Sequence, residues 1–204
     1  MIQTLFILVI IPSIVLHEVS HGYVAYLFGD STAKNAHRLT LNPLRHVDPF
    51  GTILLPVLLI AVGLPAFGYA KPVPVNIGNL RKPRQQALWV ALAGPAVNIV
   101  LSFIGFLLCK HAVHVTYSQG EFNVGEALGL MNLTLAAFNL LPIPPLDGSA
   151  VIERFIPMRS LPGYYQWRSR ALPFFMIFII VDSAFLHVGT NWLGDLQRWW
   201  LSQI

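Results

Sequence analysis

Residues 2–28 read IQTLFILVIIPSIVLHEVSHGYVAYLF and contain a single charged side chain, Glu18. About 20 apolar residues are enough for a helix to cross the roughly 30 Å hydrocarbon core of a bilayer. The stretch therefore predicts a transmembrane helix. It lacks the basic start and the small-residue cleavage site of a secretory signal peptide, so we expect it to be retained.

The composition of the whole chain is that of an integral membrane protein. Of the 204 residues, 55% are hydrophobic and 11% are charged, whereas about a quarter of the residues in a soluble domain are charged. Lipid is therefore expected to cover much of the surface. The hydrophobic content excludes a disordered chain, and the single cysteine excludes a disulfide scaffold. We attribute the net charge of +4 to loops at the membrane face, so no nucleic-acid partner is predicted.

Further stretches with few charged side chains predict the remaining membrane helices. Residues 87–109 and 127–146 contain no Asp, Glu, Lys or Arg, and residues 171–188 contain only Asp182. Residues 49–70 are apolar as well, but prolines and glycines interrupt them. Such backbone survives at membrane depth where protein or a water-filled cavity surrounds it, so a cavity is expected beside this stretch, which either crosses the membrane fully or is re-entrant. The predicted fold class is an all-α polytopic membrane protein with about four transmembrane helices.

The predicted domain organisation is a single membrane-embedded domain over residues 1–204. Its core is expected at about 2–155, followed by the span 171–188. Tryptophans and leucines near the C-terminus predict an amphipathic helix at about 190–203 that lies in the membrane interface.

The positions of the basic residues predict the topology. If 49–70 is re-entrant, 11 of the 13 Lys and Arg residues share one face, whereas a full crossing divides them 8 against 5. The first arrangement agrees better with the excess of Lys and Arg in cytoplasmic loops. It places the N-terminus outside and the following cytoplasmic loops at 29–48, 71–86 and 147–170. The basic residues on that face are Lys34, Arg38, Arg45, Lys71, Arg81, Lys82, Arg84, Arg154, Arg159, Arg168 and Arg170.

The motif His17-Glu18-Val19-Ser20-His21 within the first span predicts a metal site. On a helix, two histidines four residues apart lie on one face, where they can occupy two corners of a zinc tetrahedron. Glu18 then lies beside the metal with a free carboxylate, which can take a proton from an activated water and pass it to a leaving amine. These are the groups that peptide hydrolysis needs. Ionisable side chains inside a membrane are functional candidates for the further reason that burying them is costly.

A third zinc ligand must come from elsewhere in the chain, and the candidates are the other histidines and the acidic residues Asp147, Asp182, Glu153 and Asp48. Asp147 is the best placed because the predicted topology brings it to the membrane face toward which His21 points. It follows a segment with three prolines in four residues, which cannot be helical. This segment and residues 38–42 are candidates for short extended strands near the site, where an unwound substrate could pair with them.

Three motifs together resemble the site-2 protease family of intramembrane zinc metalloproteases. They are His17 to His21, Ala93-Gly94-Pro95-Ala96-Val97-Asn98, and Phe138-Asn139-Leu140-Leu141-Pro142-Ile143-Pro144-Pro145-Leu146-Asp147-Gly148. They occur in the order of that family, and the similarity extends from about residue 10 to residue 155. The chain resembles a compact member without a PDZ or CBS domain.

The resemblance implies one zinc ion per chain on His17, His21 and Asp147, with Glu18 as the catalytic base. It also implies that Asn139 and Pro142 help to hold the substrate, and Asn98 matches the asparagine of the middle motif. From the residues alone, either asparagine could hold substrate or cross-link helices by hydrogen bonds.

The resulting hypothesis is an intramembrane zinc metalloprotease that cleaves transmembrane or membrane-inserted peptides near the cytoplasmic face. The expected location is a prokaryotic inner membrane, with the lipid bilayer and the peptide substrate as partners. The alternatives are a membrane metal transporter and a metal-binding scaffold without proteolytic activity. A transporter predicts midplane ligands and an inverted repeat, neither of which the sequence shows.

Overall fold

The computed structural model describes residues 2–61, 63, 68–110, 114–117, 120–182 and 188–204, and these are mostly helical. The helices are α1 (Ile2–Leu27), α2 (Thr32–Asn35), α3 (Leu55–Ala61), α4 (Pro83–Lys110), α5 (Val124–Asn139), α6 (Ser149–Glu153), α7 (Leu161–Ser169), α8 (Ala171–Val181) and α9 (Val188–Leu201). Short 3-10 helices cover Pro43–His46, Ile77–Asn79 and Met158–Ser160, and Pro49–Leu54 is a π-helical turn. Strands β1 (His114–Tyr117) and β2 (Gly120–Asn123) form an antiparallel hairpin in which His114 pairs with Asn123.

Helices α1, α4 and α5 pack side by side and carry most of the residues discussed below. Glycines set the distance between α4 and α5. A Cβ atom on Gly105 would lie 2.6 Å from the carbonyl oxygen of Gly125, and one on Gly125 would lie 2.6 Å from the backbone nitrogen of Cys109. Larger residues would not fit, so the glycines allow the two backbones to approach closely, as small residues do in membrane helix pairs.

Local sequence signals explain where α4 and α5 begin. Pro83 is the first residue of α4, a position where its missing N–H costs no helical hydrogen bond. The side chain of Asn123 precedes α5 and accepts a hydrogen bond from the N–H of Glu126 at 3.0 Å. This is an N-cap, which satisfies one of the free donors at the start of a helix.

Among the described residues, two helices have the length and composition to cross a membrane, through the segments Leu8–Leu27 of α1 and Pro83–Cys109 of α4. The predicted span 127–146 needs correction, because α5 ends at Asn139 and its 16 residues rise only about 24 Å. Prolines within 142–145 prevent its continuation, since proline lacks the N–H that a helix requires. In the predicted span 171–188 the described helix ends at Val181, and residues 183–187 lie outside the described residues.

The two ends of segment 49–70, which prolines and glycines interrupt, lie next to each other. The N–H of Tyr69 donates to the carbonyl of Gly51 at 3.0 Å, and the hydroxyl of Thr52 donates to the carbonyl of Tyr69 at 2.9 Å. Two residues further on, the backbone N–H of Lys71 donates to the carbonyl of His46 at 2.9 Å. The two ends of the segment are thus joined, as a re-entrant segment requires. Residues 62 and 64–67 within it lie outside the described residues.

The short strands predicted beside Asp147 are not found. Residues 38–42 and 142–145 form bends, turns and irregular backbone in the structure. In the first segment the carbonyl of Thr40 accepts from the His46 side chain at 2.9 Å, and in the second the prolines cannot donate to a neighbouring strand. The β1–β2 hairpin lies at the other end of α5 from Asp147.

Helix α9 occupies the position where the sequence predicts an amphipathic helix at about 190–203. The amide of Gln197 donates to the hydroxyl of Thr134 on α5 at 2.9 Å. Trp200 is buried and lies with its ring centroid 6.2 Å from that of Phe106 on α4. One face of α9 therefore packs on the helix bundle, and Trp199 on another face is exposed.

A buried aspartate ties the turn after α1 to the segment before α4. Asp30 is fully buried and accepts hydrogen bonds from the N–H of Thr32 at 3.0 Å, the N–H of Asn76 at 2.7 Å and the amide of Asn79 at 3.0 Å. Burial acts to raise the pKa of Asp30, but a hydrogen bond from the Thr32 hydroxyl, together with those from the Asn79 amide and the two N–H groups, outweighs it and holds the pKa below the usual value. The charged carboxylate therefore stabilises the folded state.

Candidate metal centre

Two histidines of α1 and one aspartate bring their ligand atoms together. The Nε2 atoms of His17 and His21 are 3.1 Å apart, as expected for residues four apart on a helix. The carboxylate oxygen Oδ2 of Asp147 lies 3.1 Å from Nε2 of His17 and 3.3 Å from Nε2 of His21. Within the part of the chain that the structure describes, these residues form the group that could hold a metal ion.

The separations of the three ligand atoms agree with a tetrahedral zinc site. Zinc binds histidine nitrogen and carboxylate oxygen at about 2.0–2.2 Å. The corresponding edge of a tetrahedron is about 3.3–3.6 Å, calculated from those bond lengths. The observed edges of 3.1, 3.1 and 3.3 Å are within a few tenths of an ångström of this value. Two histidines and one carboxylate are also a donor set that catalytic zinc sites use.

Both histidines have a hydrogen-bond acceptor on the side of the ring away from the cluster. Nδ1 of His21 lies 2.7 Å from the carbonyl oxygen of Val90. Because a carbonyl can only accept, this nitrogen carries the proton and Nε2 keeps its lone pair. Nδ1 of His17 lies 2.5 Å from Oδ1 of Asn98. Partners of this kind orient metal-binding histidines in known sites.

The Oδ2 atom of Asp147 accepts no hydrogen bond from the described residues. It is buried and lies beside both Nε2 atoms. With the histidine protons on Nδ1, three lone pairs face one another at 3.1–3.3 Å, and the like partial charges repel. A cation between them removes the repulsion, so the residues present fit a bound zinc ion.

Gly94 of α4 allows that helix to lie directly against the two histidines. A Cβ atom on this residue would lie 2.6 Å from Nε2 of His17, and it would be closer still to Nε2 of His21. No side chain fits between the helices at this point. Gly94, the glycine of the middle motif, therefore leaves the space that the two imidazole rings occupy.

Glu18 is held next to the cluster by the backbone of an extended segment. Its Oε2 accepts a hydrogen bond from the N–H of Val73 at 2.9 Å. Pro72 and Pro74 flank this residue and have no N–H of their own. Gly22 makes room for the segment, because a Cβ atom there would lie 2.7 Å from Cγ1 of Val73. The other carboxylate oxygen of Glu18 has no hydrogen bond to the described residues.

A tight turn after α5 returns Asp147 to the histidines. The N–H of Gly148 donates to the carbonyl of Asn139 at 2.7 Å, which closes the loop on the end of the helix. A Cβ atom on Gly148 would lie 2.5 Å from the carbonyl carbon of Leu140. Only glycine therefore fits at the residue after the proposed ligand.

The residues that the resemblance assigns to substrate lie in three different environments. Pro142 is exposed on the loop that leads to Asp147. Asn139 is partly buried, and its amide nitrogen donates to the carbonyl of Leu135 at 3.0 Å. Asn98 is fully buried, and its amide contacts His17 and Asn132. Their contacts with substrate stay predictions.

The other acidic candidates have partners outside the cluster. Asp182 accepts from the first backbone N–H of α9 at 3.0 Å. Glu153 forms an ion pair with Arg168. Asp48 accepts from both N–H groups at the start of the turn Pro49–Leu54. Each of the three carboxylates therefore has a structural role where it lies.

Sequence reasoning did not identify Val73, Asn132 or Ser13 as neighbours of the site. Val73 acts through its backbone, so its side chain gives no signal. Asn132 is a polar residue in the middle of the largely apolar helix α5, which is a signal that could have identified it.

Comparisons with known proteins identify the family of this chain. The model of Peptidase family M50 matches residues 5–118 and 110–181. The chain belongs to peptidase family M50. This member is similar to two bacterial proteins named "Putative zinc metalloprotease": YwhC of Bacillus subtilis (strain 168) and Rip2 of Mycolicibacterium smegmatis (strain ATCC 700084 / mc(2)155). It is 42% identical to YwhC over 182 residues, which cover 86% of this chain and 78% of YwhC. It is 32% identical to Rip2 over 203 residues, which cover 95% of this chain and 73% of Rip2.

A third relative of this M50 member is archaeal. The "Zinc metalloprotease MJ0392" of Methanocaldococcus jannaschii is 27% identical over 163 residues, or 79% of this chain and 36% of the relative. No solved structure matches the chain. The family and the names of its relatives support a zinc metalloprotease of the site-2 protease family.

Proposed function

We propose that this M50 member is an intramembrane zinc metalloprotease that hydrolyses peptide bonds in transmembrane or membrane-inserted substrates near the cytoplasmic face. The observation that carries the proposal is the convergence of His17, His21 and Asp147, with Glu18 beside them on a helix long enough to span a membrane. Zinc is the proposed metal, with one ion per chain.

The chemistry divides between the metal and Glu18. A bound zinc ion supplies Lewis acidity, which polarises a peptide carbonyl and makes water a nucleophile near neutral pH. The Val73 N–H holds one oxygen of the Glu18 carboxylate at 2.9 Å and leaves the other available to accept the proton of the attacking water. The same carboxylate then returns that proton to the nitrogen of the leaving amine. Metal transport would need the ligands but not this base.

A membrane location is supported by the two apolar helices and by the polar residues they bury. Asn98 and His17 are buried within the membrane-length segments of α4 and α1, and burying such groups is justified when they serve a function. We place the protein in a prokaryotic inner membrane as a multi-pass protein. The number of spans beyond α1 and α4 is part of this proposal.

The proposed orientation is supported by the way in which α1 and α4 run. His17 contacts residue 98 and His21 contacts residue 90, so the two helices are antiparallel. With 49–70 re-entrant, the chain between them begins and ends on one face. That face carries most of the basic residues, which favours the cytoplasm. The N-terminus is then outside, and the metal centre lies toward the cytoplasmic side.

A substrate helix must unwind before its amides can react, because they are hydrogen-bonded to one another. Pro142 and its neighbour Ile143 are exposed on the loop next to Asp147. We propose that this loop, with Asn139 at its base, contacts the unwound substrate.

The test compares wild type with Glu18→Gln in detergent and measures both zinc content and cleavage of membrane-inserted peptides. Glutamine keeps an oxygen that can accept from the Val73 N–H but cannot take a proton, so we expect retained zinc and lost cleavage. Glu126→Gln on α5 is the matched control, with both properties expected to match wild type. A zinc-free wild type, or equal cleavage by wild type and Glu18→Gln, would contradict the proposal.

A further inference from the structure

Three polar side chains form a buried group between the helices that surround the metal centre. Ser13 on α1, Asn98 on α4 and Asn132 on α5 have exposed fractions of 1%, 0% and 0%. None of the described hydrogen bonds of Asn132 or Ser13 goes to a proposed metal ligand. Their burial in an apolar interior therefore requires another explanation.

The group is a continuous series of hydrogen bonds that ends on a proposed ligand. The hydroxyl of Ser13 donates to the carbonyl of Val9 at 2.9 Å, and it accepts from Nδ2 of Asn132 at 2.9 Å. Oδ1 of Asn132 accepts from Nδ2 of Asn98 at 2.7 Å. Oδ1 of Asn98 lies 2.5 Å from Nδ1 of His17. We call Ser13, Asn132 and Asn98 the amide relay.

The direction of every hydrogen bond in the amide relay follows from a backbone carbonyl. One amide atom of Asn132 lies 2.9 Å from the carbonyl oxygen of Leu128, which can only accept, so this atom must be the nitrogen. The other atom of that amide is then an oxygen, and it requires a donor from Asn98. Asn98 must therefore turn its own oxygen toward His17. Nδ1 of His17 is left as the donor, and its Nε2 keeps a lone pair.

We propose that Asn98 and Asn132 are positioning residues that fix His17 in its Nδ1–H tautomer and aim its Nε2 at the metal. His21 needs no such arrangement, because a backbone carbonyl, that of Val90, already accepts from its Nδ1. The consequence is that metal affinity depends on Asn132, whose described hydrogen bonds go to Asn98, Ser13 and Leu128 and not to a ligand. This inference rests on the proposed metal site but not on proteolytic activity.

The first measurement is the zinc dissociation constant of the full chain in detergent, obtained by competition with a chelator. Loss of groups that orient a metal-binding histidine weakens metal binding by about 10- to 100-fold. We expect a loss in that range for Asn98→Leu and a loss of about tenfold for Asn132→Leu. The two variants test the amide relay at separate positions, so each is informative if the other does not fold.

The matched control is Ser102→Ala. The hydroxyl of Ser102 is buried and donates to the carbonyl of Gly129 at 2.9 Å, so it joins the same two helices as the Asn98–Asn132 pair. It has no connection to His17. We expect Ser102→Ala to lower the Tm of the protein without changing its zinc affinity, which separates loosened packing from lost orientation.

A rescue and a spectroscopic measurement test the direction of the relay. In the double variant Asn98→Asp with Asn132→Leu, the carboxylate has only acceptor atoms and needs no neighbour to orient it, so zinc affinity is expected to recover relative to Asn132→Leu alone. In metal-free protein at a pH where His17 is neutral, 15N NMR is expected to show the Nδ1–H tautomer in wild type. Asn132→Leu is expected to show a mixture of tautomers.

The outcomes separate this inference from the proposed function. A wild type that binds no zinc contradicts the metal site itself. A wild type that binds zinc while Asn98→Leu and Asn132→Leu bind it equally well contradicts the amide relay alone. The relay is also refuted if Ser102→Ala weakens zinc binding as much as Asn132→Leu does, or if Asn132→Leu retains a single Nδ1–H tautomer.

Discussion

Gly94→Ala is expected to weaken zinc binding strongly while the helical fold is retained. The added Cβ atom would lie 2.6 Å from Nε2 of His17 and 2.5 Å from its Cε1. The methyl group would therefore lie against both histidine nitrogens that we propose as ligands. The Gly94 substitution tests the site from a helix that contributes no ligand.

The size of the effect follows from these distances. A Cβ atom makes ordinary contacts at 3.4 Å or more, so Nε2 of His17 must move by at least about 0.8 Å, the difference between 3.4 and 2.6 Å. A metal site tolerates displacements of about 0.5 Å in its ligands. We expect zinc affinity to fall by more than about 100-fold, beyond the 10- to 100-fold that loss of a supporting hydrogen bond costs.

The assay is chelator competition for zinc, together with circular dichroism and the Tm of the metal-free protein. Alanine is a better helix former than glycine by about 1 kcal/mol, so helix propensity does not oppose folding of the variant. Gly163→Ala on α7 is the control, because a Cβ atom there meets nothing within 4 Å. A folded Gly94→Ala protein that binds zinc as tightly as wild type would refute the reasoning.

Two further predictions concern Asp30 and Val73. Asp30→Asn should destabilise the protein at pH 7 by about 1–3 kcal/mol, because the new amide nitrogen then faces the N–H of Asn76, which donates to Oδ2 in wild type. Since the pKa of Asp30 is lowered in the folded state, its contribution is complete above the unfolded value of about 3.9 and is lost as the pH falls through the folded value. The Tm difference between wild type and variant should therefore be smaller at pH 3 than at pH 7, and an equal difference would contradict it. Val73→Pro removes the N–H that holds Glu18 and should lower kcat by about 10- to 100-fold at unchanged zinc affinity. The control is Val75→Pro, in the same extended segment, which should retain activity. Equal losses of kcat in the two variants would contradict this prediction.

The part of the site that the sequence predicts is the part set by helix periodicity. A separation of four residues places His17 and His21 on one face of any helix, and their nitrogens are indeed 3.1 Å apart. Asp147 required a second argument, from topology and from the prolines before it. The structure places its carboxylate oxygen 3.1 and 3.3 Å from the two nitrogens.

The ends of the helices are harder to predict, because a stretch without charged residues can still contain prolines that end a helix. Residues 127–146 are free of charge, but α5 ends at Asn139, before the prolines that begin at Pro142. Apolar residues in the following turn remain compatible with the membrane without extending the helix. Composition identifies such a segment as buried or lipid-facing, and proline positions decide how much of it is helical.

Contacts made by backbone atoms were beyond sequence reasoning altogether. The N–H of Val73 donates to Glu18 at 2.9 Å, but every residue except proline has an N–H. The informative residues are the neighbours, Pro72 and Pro74, which leave Val73 as the donor between them. The choice of partner depends on how the segment packs against Gly22, which only the folded structure shows.

The arrangement of α4 explains why its motif contains a glycine and an asparagine four residues apart. Val90, Gly94 and Asn98 are spaced by four, so they form one stripe on α4. Because α1 and α4 are antiparallel, Asn98 meets His17 while Val90 meets His21. Gly94 lies between them and leaves room for both rings. A slip of one helical turn would remove both hydrogen bonds and place a side chain against the ligands, so the register of α1 on α4 is a condition for the metal centre.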